Sequence, residues 1–231
     1  MRTNFLKLAT FAAVITLTVA CQETKDKEVT SEVEATSGKE MALAEKEEIT
    51  TAKGYGIGDV AADFKLKDVN GKTVSLSSYK DAKGFVVIFT CNTCPFAVAS
   101  EDRIIALDKN YKEKGYPVIA INPNDPNVQP DDTYELMQAK AKNKGFTFPY
   151  LYDTSNSVYA TYGATKTPHV YLLKKEDRGN VVNYIGAIDD NVRDGDAVKD
   201  QFLAKAIDEL LAGKEISVKE TKAIGCSVKQ K

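Results

Sequence analysis

Two cysteines in this chain stand close enough to act together. Cys91 and Cys94 flank Asn92 and Thr93 in a Cys-x-x-Cys pair, and Pro95 follows. Thiols at that spacing can exchange with a disulfide, reduce a peroxide or hold a soft metal, and each task needs a thiolate. The residues before the pair, Phe85-Val86-Val87-Ile88-Phe89, are a continuous apolar, β-branched and aromatic run that predicts a buried strand. Residues 96–114 have helical spacing, and Gly115 stops them. A dithiol at such a junction meets the unpaired N–H groups and partial positive charge of a helix start, which favour thiolate over thiol. His169 is the one imidazole in the chain, so any Ser/His/Asp or Cys/His set would have to use it.

Composition narrows the field further. A formal net charge of -2 carries no electrostatic footprint for nucleic acid. With 231 residues, 43% of them hydrophobic, there is enough apolar material for one ordinary core plus appendages. Cys21, Cys91, Cys94 and Cys226 are too few and too scattered for a disulfide scaffold.

The appendage is N-terminal. Arg2 and Lys7 precede an uncharged, mostly apolar stretch, residues 8–20, which matches the hydrophobic region of an export signal rather than a membrane span. It ends Leu17-Thr18-Val19-Ala20-Cys21 and resembles a bacterial lipoprotein signal. That resemblance implies removal of residues 1–20, lipidation of Cys21, and attachment to a membrane of the cell envelope, with the domain in the periplasm or facing the surface. Residues 21–53 are rich in Glu, Lys, Thr, Ser and Ala and poor in large apolar side chains, which predicts a flexible charged tether.

A folded domain is expected over residues 54–213. Phe64 and Leu66 alternate with polar neighbours, Asn70-Gly71 supplies a turn, and Val74 and Leu76 alternate again, which reads as a β-hairpin. The central strand, the dithiol and its helix follow, then a second buried strand at residues 117–121. Residues 122–132, rich in Asn, Asp and Pro, predict a surface loop. A helix capped by Asp132 or Thr133 runs to about residue 144. A short segment at residues 148–152 and a helical turn or two at 156–162 precede Thr167-Pro168-His169. Strands at 170–173 and 181–185 pair as a hairpin, and residues 196–211 form an amphipathic helix with Phe202, Ile207, Leu210 and Leu211 inward. Residues 214–231 are a tail carrying Cys226. This order predicts an α/β fold with a mixed central sheet, parallel at its centre and antiparallel at its edge, and helices on both faces.

Cys-x-x-Cys after the first central strand, and Thr167-Pro168 before the hairpin, resemble the thioredoxin-like fold. The N-terminal hairpin is similar to the extension of its redoxin branch, the alkyl hydroperoxide reductase/thiol-specific antioxidant superfamily. Phe89-Thr90-Cys91-Asn92-Thr93-Cys94-Pro95-Phe96, Glu101-Asp102-Arg103 and Ile224-Gly225-Cys226-Ser227-Val228 resemble a peroxiredoxin-like thioredoxin subfamily. The resemblance implies that Cys91 is an exposed nucleophile and that Cys94, inside the first helical turn, resolves the mixed disulfide. It implies a cis-proline at Pro168, with Thr167 beside it contacting substrate. The tryptophan and Gly-Pro of thioredoxin's own signature are replaced by Thr90 and Asn92-Thr93.

Three chemistries compete. Thiol–disulfide exchange through Cys91 and Cys94 leads; its partners are protein or small-molecule disulfides and a thiol electron donor, with no cofactor beyond the redox-active disulfide itself. A thiol peroxidase using Cys94 comes second, because Cys94-Pro95 sits where the peroxiredoxin Cys-Pro sits; Cys91 takes the place of that motif's threonine and Val87 of its proline. The peroxidase arginine has no counterpart in place, which leaves Arg103 or Arg193 to substitute. Copper binding by Cys91, Cys94 and His169 comes third, and a structural zinc lacks a second Cys-x-x-Cys. Cys226 is either a third redox thiol or a thiol in a tail packed on the domain.

Overall fold

The computed structural model describes residues 54–153, 155 and 157–231. The expected export segment, Cys21 and the tether lie outside the described residues. Those described belong to one compact unit, Glu47–Lys231.

Ten strands and four α-helices are described: β1 (Val60–Ala61), β2 (Leu66–Asp68), β3 (Thr73–Val74), β4 (Gly84–Phe89), α1 (Pro95–Tyr111), β5 (Val118–Asn122), α2 (Tyr134–Lys144), β6 (Tyr150–Tyr152), α3 (Val158–Tyr162), β7 (Lys166–Thr167), β8 (His169–Glu176), β9 (Gly179–Gly186), α4 (Phe202–Leu211) and β10 (Cys226–Ser227). Eight strands form one sheet in the order β1-β9-β8-β4-β5-β6-β2-β3, with β10 and β7 paired separately. The contacts β4–β5 and β5–β6 are parallel and the rest antiparallel, as the sequence predicts.

Strand β4 lies at the middle, and every residue of it is buried. Its period-2 alternation divides the core in two. Val86 and Ile88 face a layer made by Ile104 and Leu107 of α1, Met137 of α2, and Leu203 and Ile207 of α4. Phe85, Val87 and Phe89 face Phe64, Leu76 and, from α3, Tyr162. Helices therefore cover both faces unequally: three on one, and on the other α3 with the N-terminal segment. The ends of α2 follow the sequence closely. Thr133 accepts the Leu136 N–H at 3.3 Å as N-cap, and Gly145 closes the helix at a left-handed φ of 66°.

Three segments differ from expectation. The last helix begins at Phe202 rather than Asp196. Asp194 caps a single 3₁₀ turn, Gly195–Ala197, and the next residues bond the Asp190 loop instead: Lys199 N–H donates to the Asp190 carboxylate at 3.0 Å, and Asp190 N–H to the Asp200 carbonyl at 3.1 Å. Leu203 and Ala206, not singled out by periodicity, are the fully buried partners of Ile207. The expected surface loop at 122–132 dives inward, with Asn122, Asn124 and Asp132 buried. Polar composition marked it as exposed, but its side chains pair with one another, which removes the desolvation penalty that keeps such residues outside.

Residues 214–231 are woven into the domain. Ile216 is buried in the core beside α4. The Ile185 N–H donates to the Lys219 carbonyl and the Thr221 N–H to the Ile185 carbonyl, both at 3.0 Å. The Thr221 hydroxyl meets the Tyr184 hydroxyl at 2.6 Å and accepts the Ala187 N–H at 2.9 Å. These bonds deliver the last residues to the dithiol end of the sheet.

Candidate active site

Helix α1 starts at Pro95, so Cys94 is its N-cap and Cys91 lies ahead of the helix. This shifts the expected placement, in which Cys94 lay within the first turn. Proline at the first helical position gives up no intrahelical bond and has a fixed φ suited to the helix, which sets the start there.

Neither thiol is exposed: Cys91 retains 3% of its accessible surface and Cys94 4%. The expected exposed nucleophile at Cys91 is thus corrected; β7 and β10 close over the pair. Cys91 Sγ lies 3.3 Å from the Thr167 hydroxyl. Cys94 Sγ, when protonated, donates to the Thr167 carbonyl at 3.1 Å and accepts the Cys226 N–H at 3.3 Å. The Thr167–Pro168 peptide bond is cis, as expected. Thr167, the two thiols and Cys226 are therefore brought together. No S–S bond joins Cys91, Cys94 and Cys226 in this structure.

The environment separates the two thiols chemically. Cys94 is drawn down to about 4 by the Cys91 thiol beside it, which outweighs burial, with further help from the Cys226 thiol and the N–H groups of Ala97 and Cys226. Cys91 is pushed far up by its bond to Cys94, then by burial and the Asp132 carboxylate, against a lesser opposing pull from Thr167. The pair titrates together, and the downward shift falls on the thiol at the helix N-terminus, where the partial positive charge favours a thiolate.

The dipeptide between the cysteines is held from several directions. Asn92 N–H donates to the Asp132 carboxylate at 2.7 Å, and its side-chain amide donates to the Asp131 carbonyl at 2.9 Å and accepts from the Tyr150 hydroxyl at 3.0 Å. The Lys140 ammonium donates to the Asn92 carbonyl at 2.5 Å and pairs with Glu101 at 2.6 Å. The Asp132 carboxylate also accepts from the side chains of Asn122 at 3.2 Å and Asn124 at 2.7 Å. Asp132, Lys140 and Tyr150 are positioning residues that sequence reading missed; the signal available was the concentration of Asn and Asp directly after β5. Glu101, quoted in the sequence as part of a family-like motif, acts here through Lys140.

The remaining candidates sit elsewhere. Arg103 donates to the Asp189 carboxylate at 2.5 Å and to the carbonyls of Asn191 and Val192 at 2.7 and 2.9 Å, so it fixes the loop after β9 rather than facing a thiol. The Arg193 guanidinium lies 4.9 Å from the centre of the Phe96 ring, at the rim of the thiol cluster. His169 is buried at the start of β8, where its Nδ1 accepts the Thr165 N–H at 3.4 Å. Burial draws its pKa down to about 4. Among the described residues, no group of three or more His, Cys, Asp and Glu side chains is arranged to hold a metal ion.

The family model for AhpC/TSA matches residues 57–184, more than half of the chain, from ahead of β1 into β9. This protein belongs to the AhpC/TSA family. Its fold is thioredoxin-like, as the sequence resemblance implied. The AhpC/TSA chain is 27% identical over 125 residues to the thiol-disulfide oxidoreductase ResA of Halalkalibacterium halodurans, covering 54% of this chain and 65% of that protein. It is 34% identical to an uncharacterized conserved protein from Geobacillus kaustophilus of solved structure, with a TM-score of 0.71 over 78% of this chain and 95% of the other. A hypothetical protein from Sinorhizobium meliloti 1021 superposes with a TM-score of 0.70 at 36% identity, covering 78% of this chain and 97% of its own.

Proposed function

We propose that this protein is a thiol–disulfide oxidoreductase whose redox centre is the Cys91–Cys94 pair. The observation that carries this is the placement of the two thiols: Cys94 caps the N-terminus of α1, Cys91 lies just ahead of it, and Thr167 before the cis peptide bond touches both. The downward pull on the Cys94 pKa and the upward push on Cys91 favour Cys94 as the first nucleophile and Cys91 as the resolving thiol. The Cys94 thiolate attacks one sulfur of a substrate disulfide, the S–S bond breaks, and one half leaves as a thiol. Cys91 then gives up its proton and attacks Cys94 Sγ, which releases the second half and leaves the Cys91–Cys94 disulfide. A thiol donor restores the reduced pair, and no cofactor takes part. This order of attack reverses the one implied by the family resemblance, in which Cys91 goes first. Thr167 and Pro168 form the wall against which a substrate chain would lie once β10 is displaced from that edge. The similarity to ResA supports the same reaction class. The lipoprotein-like residues 1–21 support placement in the cell envelope, anchored through Cys21 and acting on disulfides there.

A mixed-disulfide trap tests the assignment. In a protein carrying Cys91→Ser and Cys226→Ser, an aromatic model disulfide is expected to leave a stable adduct on Cys94, located by peptide mass mapping. No adduct on Cys94, together with one on Cys91 in the Cys94→Ser/Cys226→Ser protein, would restore Cys91 as the nucleophile.

Peroxidase chemistry is the second reading, favoured by the same low-pKa Cys94 followed directly by Pro95. The spatial placement of the arginines weighs against it: Arg103 is committed to Asp189 and the loop carbonyls, and Arg193 rests on Phe96.

A further inference from the structure

The C-terminal strand β10 lies on the edge of β7 beside both thiols, in antiparallel register with Cys226 opposite Thr167 and Ser227 opposite Lys166. An extended segment on an open strand edge gains main-chain bonds regardless of its sequence, and its register sets which side chain reaches the neighbouring site. Here the side chain brought to the site is a cysteine. Its N–H donates to Cys94 Sγ, and its thiol packs in a cluster with Cys91, Cys94 and Phe96. Contacts on both sides hold the register. Upstream, a side chain at Gly225 would collide with the Thr167 carbonyl. Downstream, Val228 N–H donates to the Thr165 carbonyl at 3.2 Å, Lys229 N–H to the Asn124 side chain at 2.9 Å, and Asp125 N–H to the Lys229 carbonyl at 2.8 Å. An open cavity of about 240 Å3 remains beside the thiols, lined in part by Thr93, Pro95, Gln129 and Lys229.

We propose that Cys226 is the third thiol of the redox centre, delivered by a strand that occupies the substrate edge, and that it exchanges with the Cys91–Cys94 disulfide to give a Cys94–Cys226 disulfide. This rests on the exchange reading above, which supplies the first disulfide. Cys226 loses its proton and its sulfur attacks Cys94 Sγ; the Cys94–Cys226 bond forms, the Cys91–Cys94 bond breaks, and Cys91 leaves as a thiolate that takes up the proton. No electrons enter or leave. In the dithiol form burial and the adjacent Cys94 hold Cys226 up at about 11. Once Cys94 is bound in a disulfide that neighbouring charge is gone, while Lys166 and Lys229 still favour the Cys226 thiolate. The exchange leaves Cys91 as the free thiol and fastens the strand across the edge that a substrate chain would use.

Oxidation of the full-length protein with a mild thiol oxidant, acid quenching, alkylation and disulfide mapping by mass spectrometry test this. Expected are Cys91–Cys94 and Cys94–Cys226 bonds in equilibrium in the wild type, and Cys94–Cys226 as the dominant product in Cys91→Ser. Gly225→Ala is expected to reduce Cys94–Cys226 roughly tenfold, by lifting the strand, while Cys91–Cys94 still forms. Cys226 fully alkylated in every oxidised sample, Cys91→Ser included, would overturn the proposal even if the protein turns over disulfides. Cys94–Cys226 formed by a protein that turns over no disulfide would uphold the thiol triad and refute the exchange activity instead.

Discussion

Two residues of the same type, three positions apart, are pushed in opposite directions because their surroundings differ by a few hydrogen bonds. Cys94 receives the Cys91 thiol, the Cys226 thiol and two backbone N–H groups, whereas Cys91 faces Cys94, burial and the Asp132 carboxylate. Ultraviolet thiolate absorbance of the Cys226→Ser protein is therefore expected to rise with an inflection well below the ordinary thiol range, above the wild-type value because the Cys226 thiol no longer contributes. Cys91→Ala is expected to move that inflection upward, since it removes the largest stabilising contact; an unchanged inflection would show that the charge does not depend on Cys91. His169 gives an independent acid signature. Its folded pKa of about 4 lies below the ordinary 6.5, so the unfolded chain binds a proton in that window that the folded protein refuses. Stability is expected to fall on acidification from 6.5 toward 4, by on the order of 3 kcal/mol at most. Urea titrations of wild type and His169→Gln should diverge in that range, and parallel curves would contradict the assignment.

Among the elements, the inward loop after β5 does the positioning. Asp132 accepts from the Asn92 main chain and from two asparagine side chains, all buried. Truncation to alanine leaves those donors unpaired, so Asp132→Ala is expected to lose roughly 2–4 kcal/mol by chemical denaturation, against less than about 0.5 for exposed Asp131→Ala. Equal effects would show that the buried network contributes nothing. The long elements were legible in the sequence because their signals are local: the apolar run of β4, the Thr133 cap of α2, the paired strands β8 and β9. The inward loop was not, because Asn and Asp mark a turn whether they meet water or one another, and only the fold supplies partners from β6 and α2. The late start of α4 was hidden similarly, since Lys199 and Asp200 spend backbone bonds on the Asp190 loop, distant in the pattern. Strands β7 and β10 are two residues each, too short for any periodicity to show.

On the scale of the molecule, the C-terminal end of the sequence bears on the dithiol. Cys91, Cys94 and Thr167-Pro168 could be singled out from spacing and resemblance, whereas the docking of residues 214–231 depends on contacts separated by the whole length of the domain. Ile216 and Thr221 anchor the first half of that segment, and Cys226 ends its course at the site. Deleting residues 224–231 is expected to leave the thermal midpoint within a few degrees of wild type. Deleting 214–231 empties the Ile216 site and should cost about 2–5 kcal/mol. Similar midpoints for both truncations would show that the first half of the segment is a passive tail. At the other end, palmitate labelling in a bacterial host should depend on Cys21, and labelling that survives Cys21→Ala would remove the proposed anchor. The central claim is tested most directly by measuring disulfide reduction and hydroperoxide consumption side by side on wild type, Cys91→Ser and Cys94→Ser. Disulfide reduction is expected to dominate in the wild type and to fall by on the order of a hundredfold in each variant. Rapid peroxide turnover that survives Cys91→Ser but not Cys94→Ser, with little disulfide reduction, would contradict it.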